Sequence, residues 1–272
     1  MKFIGCYNTK GGVGKTTLNL MLAKRLCKEG KKVLFIDADG QANATEYFYK
    51  IQHDDKTIYD ALINNETADE VIIKAPNMNF QSIDIIPATD LVSELGEELG
   101  KKIAKEKVAA RWFKKNIKTL EIYDYIIVDL SPVIDVANRN FLYIMDSIIY
   151  IIEYCDIASI RGVRKHLLSY EEEMEILEID DTTNKVVLIN SMKNTKSTVA
   201  EYFESQMDMY CKADDNKIHD MMLENRLSNA DAIKRSILEN VDLPDVSKTY
   251  RSKKAEQEFD AIVEELKMKE VL

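Results

Sequence analysis

The chain has 272 residues, 46% of them hydrophobic, a formal net charge of −10 and four cysteines. That is enough apolar material for a sizeable core, read most simply as one large domain over 1–272, since no Pro/Gly/Ser-rich linker, internal repeat or low-complexity tract marks a boundary. The charge gives nucleic acid no favourable long-range field, leaving only a local basic face for it, and the widely spaced Cys6, Cys27, Cys155 and Cys211 argue against zinc or an iron–sulfur cluster held within one chain.

In chain order, KFIGCY at 2 to 7 is a short apolar run that ends at the glycine-rich stretch NTKGGVGKTTLNL, residues 8 to 20. A helix starting near Lys15 follows, with Leu18, Met21, Leu22 and Leu26 on one face and Gly30 as its C-cap. Further strands are expected at KVLFID, 82 to 87, 123 to 130, 146 to 154 and 185 to 190, and helices at 57 to 65, 90 to 120, 159 to 178 and 196 to 210. Residues 255 to 269 form a last amphipathic helix with Phe259, Ile262, Val263 and Leu266 on its apolar side and acids on the other. Continuous apolar strands alternating with helices imply an α/β fold, a mostly parallel central sheet with helices on both faces. Ligands bind such sheets at the carboxyl ends of the strands, where Asp37, Asp129 and the glycine loop fall. A loop within ten residues of the first methionine leaves no room for a signal peptide, and stretches such as SIIYIIEYC are too short to span a bilayer. A cytoplasmic protein with no direct membrane anchor is expected.

The loop carries the chemistry. Gly11, Gly12 and Gly14 let successive N–H groups around Val13 point inward at phosphate oxygens, and the helix beginning at Lys15, Thr16 and Thr17 adds its free N–H groups and positive end. Lys15 can neutralise the β- and γ-phosphates of ATP, and the Thr16 hydroxyl is placed to ligate Mg²⁺. Asp129, at the tip of YDYIIVDL, is the expected magnesium carboxylate, acting through bound water. Asp37, with Asp39 beside it, would lie next to the same loop, where it can orient an attacking water or support the magnesium shell. Lys10 is explained poorly within one subunit, because Lys15 already supplies the charge. It either reaches a second nucleotide across an interface, as an arginine finger does in trans, or is a surface lysine that raises the local potential.

KGGVGKTT resembles the deviant phosphate loop of the ParA/MinD group of P-loop ATPases, with Thr9 where the ordinary loop has its first glycine. The similarity continues through GKKVLFIDADGQANAT, TIYDAL, IDIIPATDLVSELGEEL, YDYIIVDLSP and SIRGVRKHL, and is nearest the ParA partition branch. The resemblance implies an ATPase that forms a sandwich homodimer on ATP, binds nonspecific DNA on the nucleoid and is stimulated by a ParB-like DNA-binding partner. It implies that Lys10 reaches the partner's nucleotide, Lys15 and Thr16 hold phosphate and magnesium, Asp37 positions the hydrolytic water, Asp129 is the Walker B carboxylate, and Asn190 contacts adenine. The alternative within this group is a MinD-like or cargo-positioning ATPase that acts as a spatial scaffold without DNA partition. Gly40 stands where the family usually has proline, IIEYCDIAS replaces the more usual proline-containing segment, and ENRLSNADAIKRS at 224 to 236 matches the usual carboxyl-terminal pattern weakly.

By charge alone, residues 226 to 254 hold a local excess of three positive charges, against the bland reading of a solvated helix face. Lys234, Arg235, Arg251 and Lys253 are the DNA candidates there, making phosphate rather than base contacts.

Overall fold

The computed structural model of the chain describes residues 1–191, 197–213, 217–246 and 250–272, the side chains of 250–252 excepted. The chain divides into two compact units, Met1–Cys6 with Thr16–Asp146, and Tyr7–Lys15 with Ser147–Leu272.

In the first unit, β1 (Lys2–Tyr7), β2 (Val33–Ala38), β3 (Ile83–Ile86) and β4 (Tyr125–Leu130) lie in the order β3-β2-β4-β1, every pairing parallel. All of β2 and all of β3 is buried. Successive strand side chains point to opposite faces, so burial at every position requires cover on both. The β2/β4 register sets Asp37 opposite Asp129, each one residue before its strand ends. The helix Lys15–Lys28 buries Leu18, Met21, Leu22 and Leu26 and closes where Lys31 N–H bonds to the Leu26 carbonyl and Gly30 N–H to that of Cys27, as expected for a cap at Gly30.

The helix expected over 90–120 is a correction. The segment forms a 3₁₀ turn Asp90–Glu94, helix Leu95–Gly100, a 3₁₀ turn Lys105–Lys107, helix Val108–Lys115 and helix Ile117–Leu120. Ala104 sits at φ 50°, which breaks the middle. At the far end the buried Asn116 accepts from Ala68 N–H and donates to the Trp112 carbonyl, so its side chain competes with the helical ladder. The short helices Asn43–Phe48, Val136–Leu142 and Asp231–Leu238 were not anticipated by the apolar periodicity.

The second unit holds β5 (Ser147–Glu153) and β6 (Asn184–Asn190), paired in parallel, with helix Ile157–Ile176 packed on β5. Helix Thr198–Ala213 follows, and helix Tyr250–Met268 closes the chain with Phe259, Ile262, Val263 and Leu266 fully buried. The acidic side of that last helix is not simply solvated. Glu265 accepts from the N–H groups of Glu224 and Asn225 and from the Asn225 amide, and Glu258 accepts from Ser228 N–H and hydroxyl. Among the described residues the chain is thus an α/β protein built on six parallel strands, as its sequence pattern indicates.

Candidate nucleotide-binding site

Where β1 gives way to the loop, the second unit begins with a buried polar residue. Asn8 donates its amide to the carbonyls of Ile151 and Ser159 at 2.7 and 2.9 Å, and its Oδ1 accepts Lys10 N–H at 2.8 Å. Gly162 lets helix Ile157–Ile176 approach this point, since a Cβ there would stand 2.3 Å from Asn8 Oδ1. Gly12 and Gly14 adopt φ of +80° and +100°. Gly12 has open space around it, so its conformation alone demands glycine, whereas a Cβ on Gly14 would also meet Asn190 Nδ2 at 2.5 Å. Gly11 is exposed and Val13 buried, and the Val13 carbonyl accepts from Asn190 Nδ2 at 2.9 Å. The Asn190 Oδ1 accepts Ser191 N–H, so the amide proposed for adenine is engaged at both ends, by the loop through Nδ2 and by its own chain through Oδ1. Lys15, only 7% exposed, folds its ammonium back to the Lys10 carbonyl at 3.3 Å.

Lys10 points elsewhere. Its ammonium donates to Asp156 and lies 3.7 Å from Glu153. Asp156 does more than any other group to raise the Lys10 pKa above its ordinary value, outweighing the opposing effect of burial, and Glu153 adds to it. These two acids flank a sharp turn: Tyr154 N–H bonds to the Asn190 carbonyl, Cys155 takes φ 65°, and Asp156 caps the following helix through Ala158 N–H. Sequence reading noted the unusual IIEYCDIAS segment without seeing that its two carboxylates close on Lys10.

In the first unit, Asp129 is buried at the end of β4 and accepts from Asn19 Nδ2 at 2.9 Å and from the Thr16 hydroxyl. Asn19 also takes Cys6 N–H at 3.1 Å, which ties the helix Lys15–Lys28 to β1 and β4. A polar residue inside the Leu18/Met21/Leu22 face was the signal that could have found it. Asp37, fully buried, accepts from both the N–H and the hydroxyl of Thr45 at 2.8 Å and from Asp39 N–H at 3.2 Å. The Thr45 hydroxyl in turn accepts Ala88 N–H at 2.8 Å, so the loop after β3 fixes the residue that fixes Asp37. Asp39 turns the chain outward by accepting Gln41 N–H, and Gly40 is held against Ser93, whose backbone nitrogen would be 3.0 Å from a Cβ there. Thr17 is half-buried in the first helical turn.

Burial pushes the Asp129 carboxyl up to about 7, helped by the charge of Asp37, while the bonds from Thr16 and Asn19 oppose it. Burial likewise lifts Asp37 to about 6 against the bonds from Thr45 and Asp39. A divalent cation is the partner that reverses both effects, and the donor set, two carboxylates and the Thr16 hydroxyl, is all oxygen, which suits Mg²⁺. Among the described residues no three His, Cys, Asp or Glu converge as a self-sufficient metal site.

The DNA candidates are placed unevenly. Lys234 and Arg235 lie exposed on helix Asp231–Leu238, with Arg235 paired to Glu239 at 2.8 Å. Lys253 is exposed on helix Tyr250–Met268, which packs on Asp231–Leu238, and the Arg251 side chain lies outside the described residues. No helix among the described residues is long and apolar enough to cross a membrane.

A family model described as an AAA domain matches residues 1–177. The chain is 35% identical over 171 residues to the sporulation initiation inhibitor protein Soj of Bacillus subtilis, covering 61% of this chain and 63% of Soj. It is 27% identical over 172 residues to the chromosome partitioning protein ParA of Caulobacter vibrioides, covering 63% of this chain and 62% of that one. The chain thus spans less than two thirds of the length of these curated relatives. A plasmid partition protein of Borrelia burgdorferi B31, bound to AMPPNP, superposes with a TM-score of 0.70 at 26% identity, covering 97% of this chain and 98% of that one. With the glycine loop, its two lysines and the paired strand-end aspartates in place, the chain belongs to the AAA domain family that its first 177 residues match and to the ParA/MinD superfamily of P-loop ATPases.

Proposed function

We propose that this chain is a partition ATPase that binds Mg²⁺ and ATP, forms a homodimer when ATP-bound, holds nonspecific DNA in that state and hydrolyses ATP when a ParB-like partner stimulates it. The observation that carries this reading is the junction of a strand, a glycine loop with Lys10 and Lys15, and a helix, together with Asp37 and Asp129 paired at the ends of β2 and β4.

The N–H groups of Gly11 to Thr17 cradle the phosphates, and Lys15 turns from the Lys10 carbonyl to the β- and γ-oxygens. Thr16 and Asp129 would hold Mg²⁺, which supplies charge neutralisation at those oxygens when bound. Asp37, fixed by Thr45, orients the attacking water. Lys10 leaves Asp156 and Glu153 to reach the partner's nucleotide, which makes assembly part of the catalytic cycle. Asn190 supports the loop through Val13 and stands beside the nucleotide.

Retention on nonspecific duplex DNA, compared without nucleotide, with ADP and with Mg-ATP, tests the reading. Retention confined to Mg-ATP, with phosphate release, is expected. Equal retention in all three states, or no nucleotide binding, would overturn it.

A further inference from the structure

The protein is acidic overall, yet residues 101 to 118 carry eight lysines and arginines against Glu106 alone. Lys101 is taken by Glu97 and Glu98 and Lys102 by the Ile63 carbonyl, but the later cations stand on and beside one exposed helix side. In Val108–Lys115, Val108, Ala109, Trp112 and Phe113 are buried, while Lys107, Arg111, Lys114 and Lys115 are exposed, and Lys118 continues the exposed side one turn on. Arg111 and Lys114 lie three apart on the exposed side of this helix, with Lys107 at the end of the 3₁₀ turn just before it and Lys118 in the short helix just after it, all four exposed. The inner face is fixed by Trp112 Nε1 donating to the Glu66 carbonyl at 2.7 Å, by Asn116 accepting Ala68 N–H, and by Phe113 packed edge-on against Phe3.

The carboxyl-terminal segment differs in part: among the described residues Lys234 and Lys253 there have no carboxylate partner either, but the other cations with described side chains do. There Arg235 is taken by Glu239, Arg226 by Glu204 and Lys254 by Glu258. Around the helix 108–115, Glu106 lies 4.0 Å from Lys105, Arg111 donates to the Ile103 carbonyl at 3.3 Å, and among the described residues no carboxylate pairs with Lys107, Arg111, Lys114 or Lys118. Cations without carboxylate partners are the ones that gain most from meeting phosphates.

We propose that the Lys107/Arg111/Lys114/Lys118 face is a binding surface for the phosphate backbone of duplex DNA, distinct from the carboxyl-terminal basic residues. A bilayer is the poorer partner, because a membrane-surface helix must turn its apolar face to the lipid, and here that face is buried in protein. The proposal rests on the partition reading for its biological sense but not for its test.

The test is fluorescence anisotropy with a 24-base-pair duplex of arbitrary sequence, titrated over a range of salt in Mg-ATP, beside binding of a fluorescent ATP analogue. The quadruple variant Lys107→Gln, Arg111→Gln, Lys114→Gln, Lys118→Gln should bind the analogue as the unaltered chain does. Its DNA affinity should fall at least about tenfold, and the slope of log K on log salt should become shallower by about 3 to 4. The triple variant Lys234→Gln, Arg235→Gln, Lys253→Gln should change the slope far less. Unchanged affinity and slope in the quadruple variant would overturn the proposal, as would loss of binding to phosphatidylglycerol vesicles in place of DNA, or a salt-dependent loss of self-association alone. DNA binding that depends on the face but not on ATP would uphold this surface and contradict the ATP-coupled reading, so the two fail separately.

Discussion

The Lys10 ammonium bonds to Asp156 of its own chain, on the turn that links β5 to the next helix, with Glu153 3.7 Å away. The lysine assigned to a partner's nucleotide is therefore held at home by two carboxylates. Both sides of the pair are partly exposed, so breaking it costs only about 0.5–1 kcal/mol. Asp156→Asn keeps the helix cap and weakens the hold. It should lower the ATP concentration needed for dimerisation by about two- to fivefold, read by sedimentation velocity. A higher requirement would show that Asp156 helps assembly instead.

Thr45 should act through Asp37. Thr45→Val removes the hydroxyl that bridges Ala88 N–H and the Asp37 carboxylate at nearly constant volume. Turnover should fall about tenfold, the worth of one hydrogen bond to a charged group, while nucleotide affinity stays within about threefold and Thr45→Ser restores most of the rate. Steady-state kinetics with separate binding measurements decide it, and equal loss in the Ser and Val variants would contradict the assignment.

Asp129 and Asp37 bind protons more readily folded than unfolded, with carboxyls at about 7 and about 6. The native state therefore holds the extra protons between the unfolded carboxylate range and those values, and the pair's contribution to stability falls as pH rises through that window. In Mg²⁺-free protein, Asp129→Asn should flatten the decline and raise the melting temperature at pH 8 by about 2–4 °C. The same variant should lose the added stabilisation that Mg²⁺ gives over ATP alone. A thermal melt series in pH, with and without Mg²⁺, checks both, and an unaltered pH slope would contradict the coupling.

Much of this was legible in the residues themselves. The loop, its two lysines and the strand-end aspartates could be read because each sits where an apolar run stops, and that boundary is local in sequence. The partners that hold them were not, because Asn8, Thr45 and Asn19 act over long separations: Asn8 meets Ile151, Thr45 meets Ala88 and Asn19 meets Asp129. The far end of the broken segment 90–120 failed for the same reason, its ladder interrupted at Asn116, which bonds to Ala68, whereas the middle breaks locally at Ala104. Asn190 was placed correctly at the end of β6, but its tie to the Val13 carbonyl joins positions 177 residues apart.

The terminal helix offers a stability test away from the site. Burial pushes the Glu265 carboxyl up, but the N–H groups of Asn225 and Glu224 and the Asn225 amide outweigh it and hold the carboxyl below its ordinary value. A depressed folded value stabilises the protein above the unfolded carboxylate range, and that contribution is lost as pH falls through the lower folded value. Glu265→Gln should cost about 1–3 kcal/mol at neutral pH, and the difference from the unaltered chain should shrink below about pH 4. Urea unfolding at several pH values measures it, and a pH-independent difference would show that packing rather than charge is responsible.

The central claim is that Lys10 makes assembly part of the ATPase. Sedimentation velocity of the unaltered chain and of Lys10→Ala, each without nucleotide, with ADP and with Mg-ATP, tests it most directly. The unaltered chain should be a dimer only in Mg-ATP, and Lys10→Ala should bind ATP yet remain a monomer. A Lys10→Ala dimer of equal strength with undiminished hydrolysis would contradict the account.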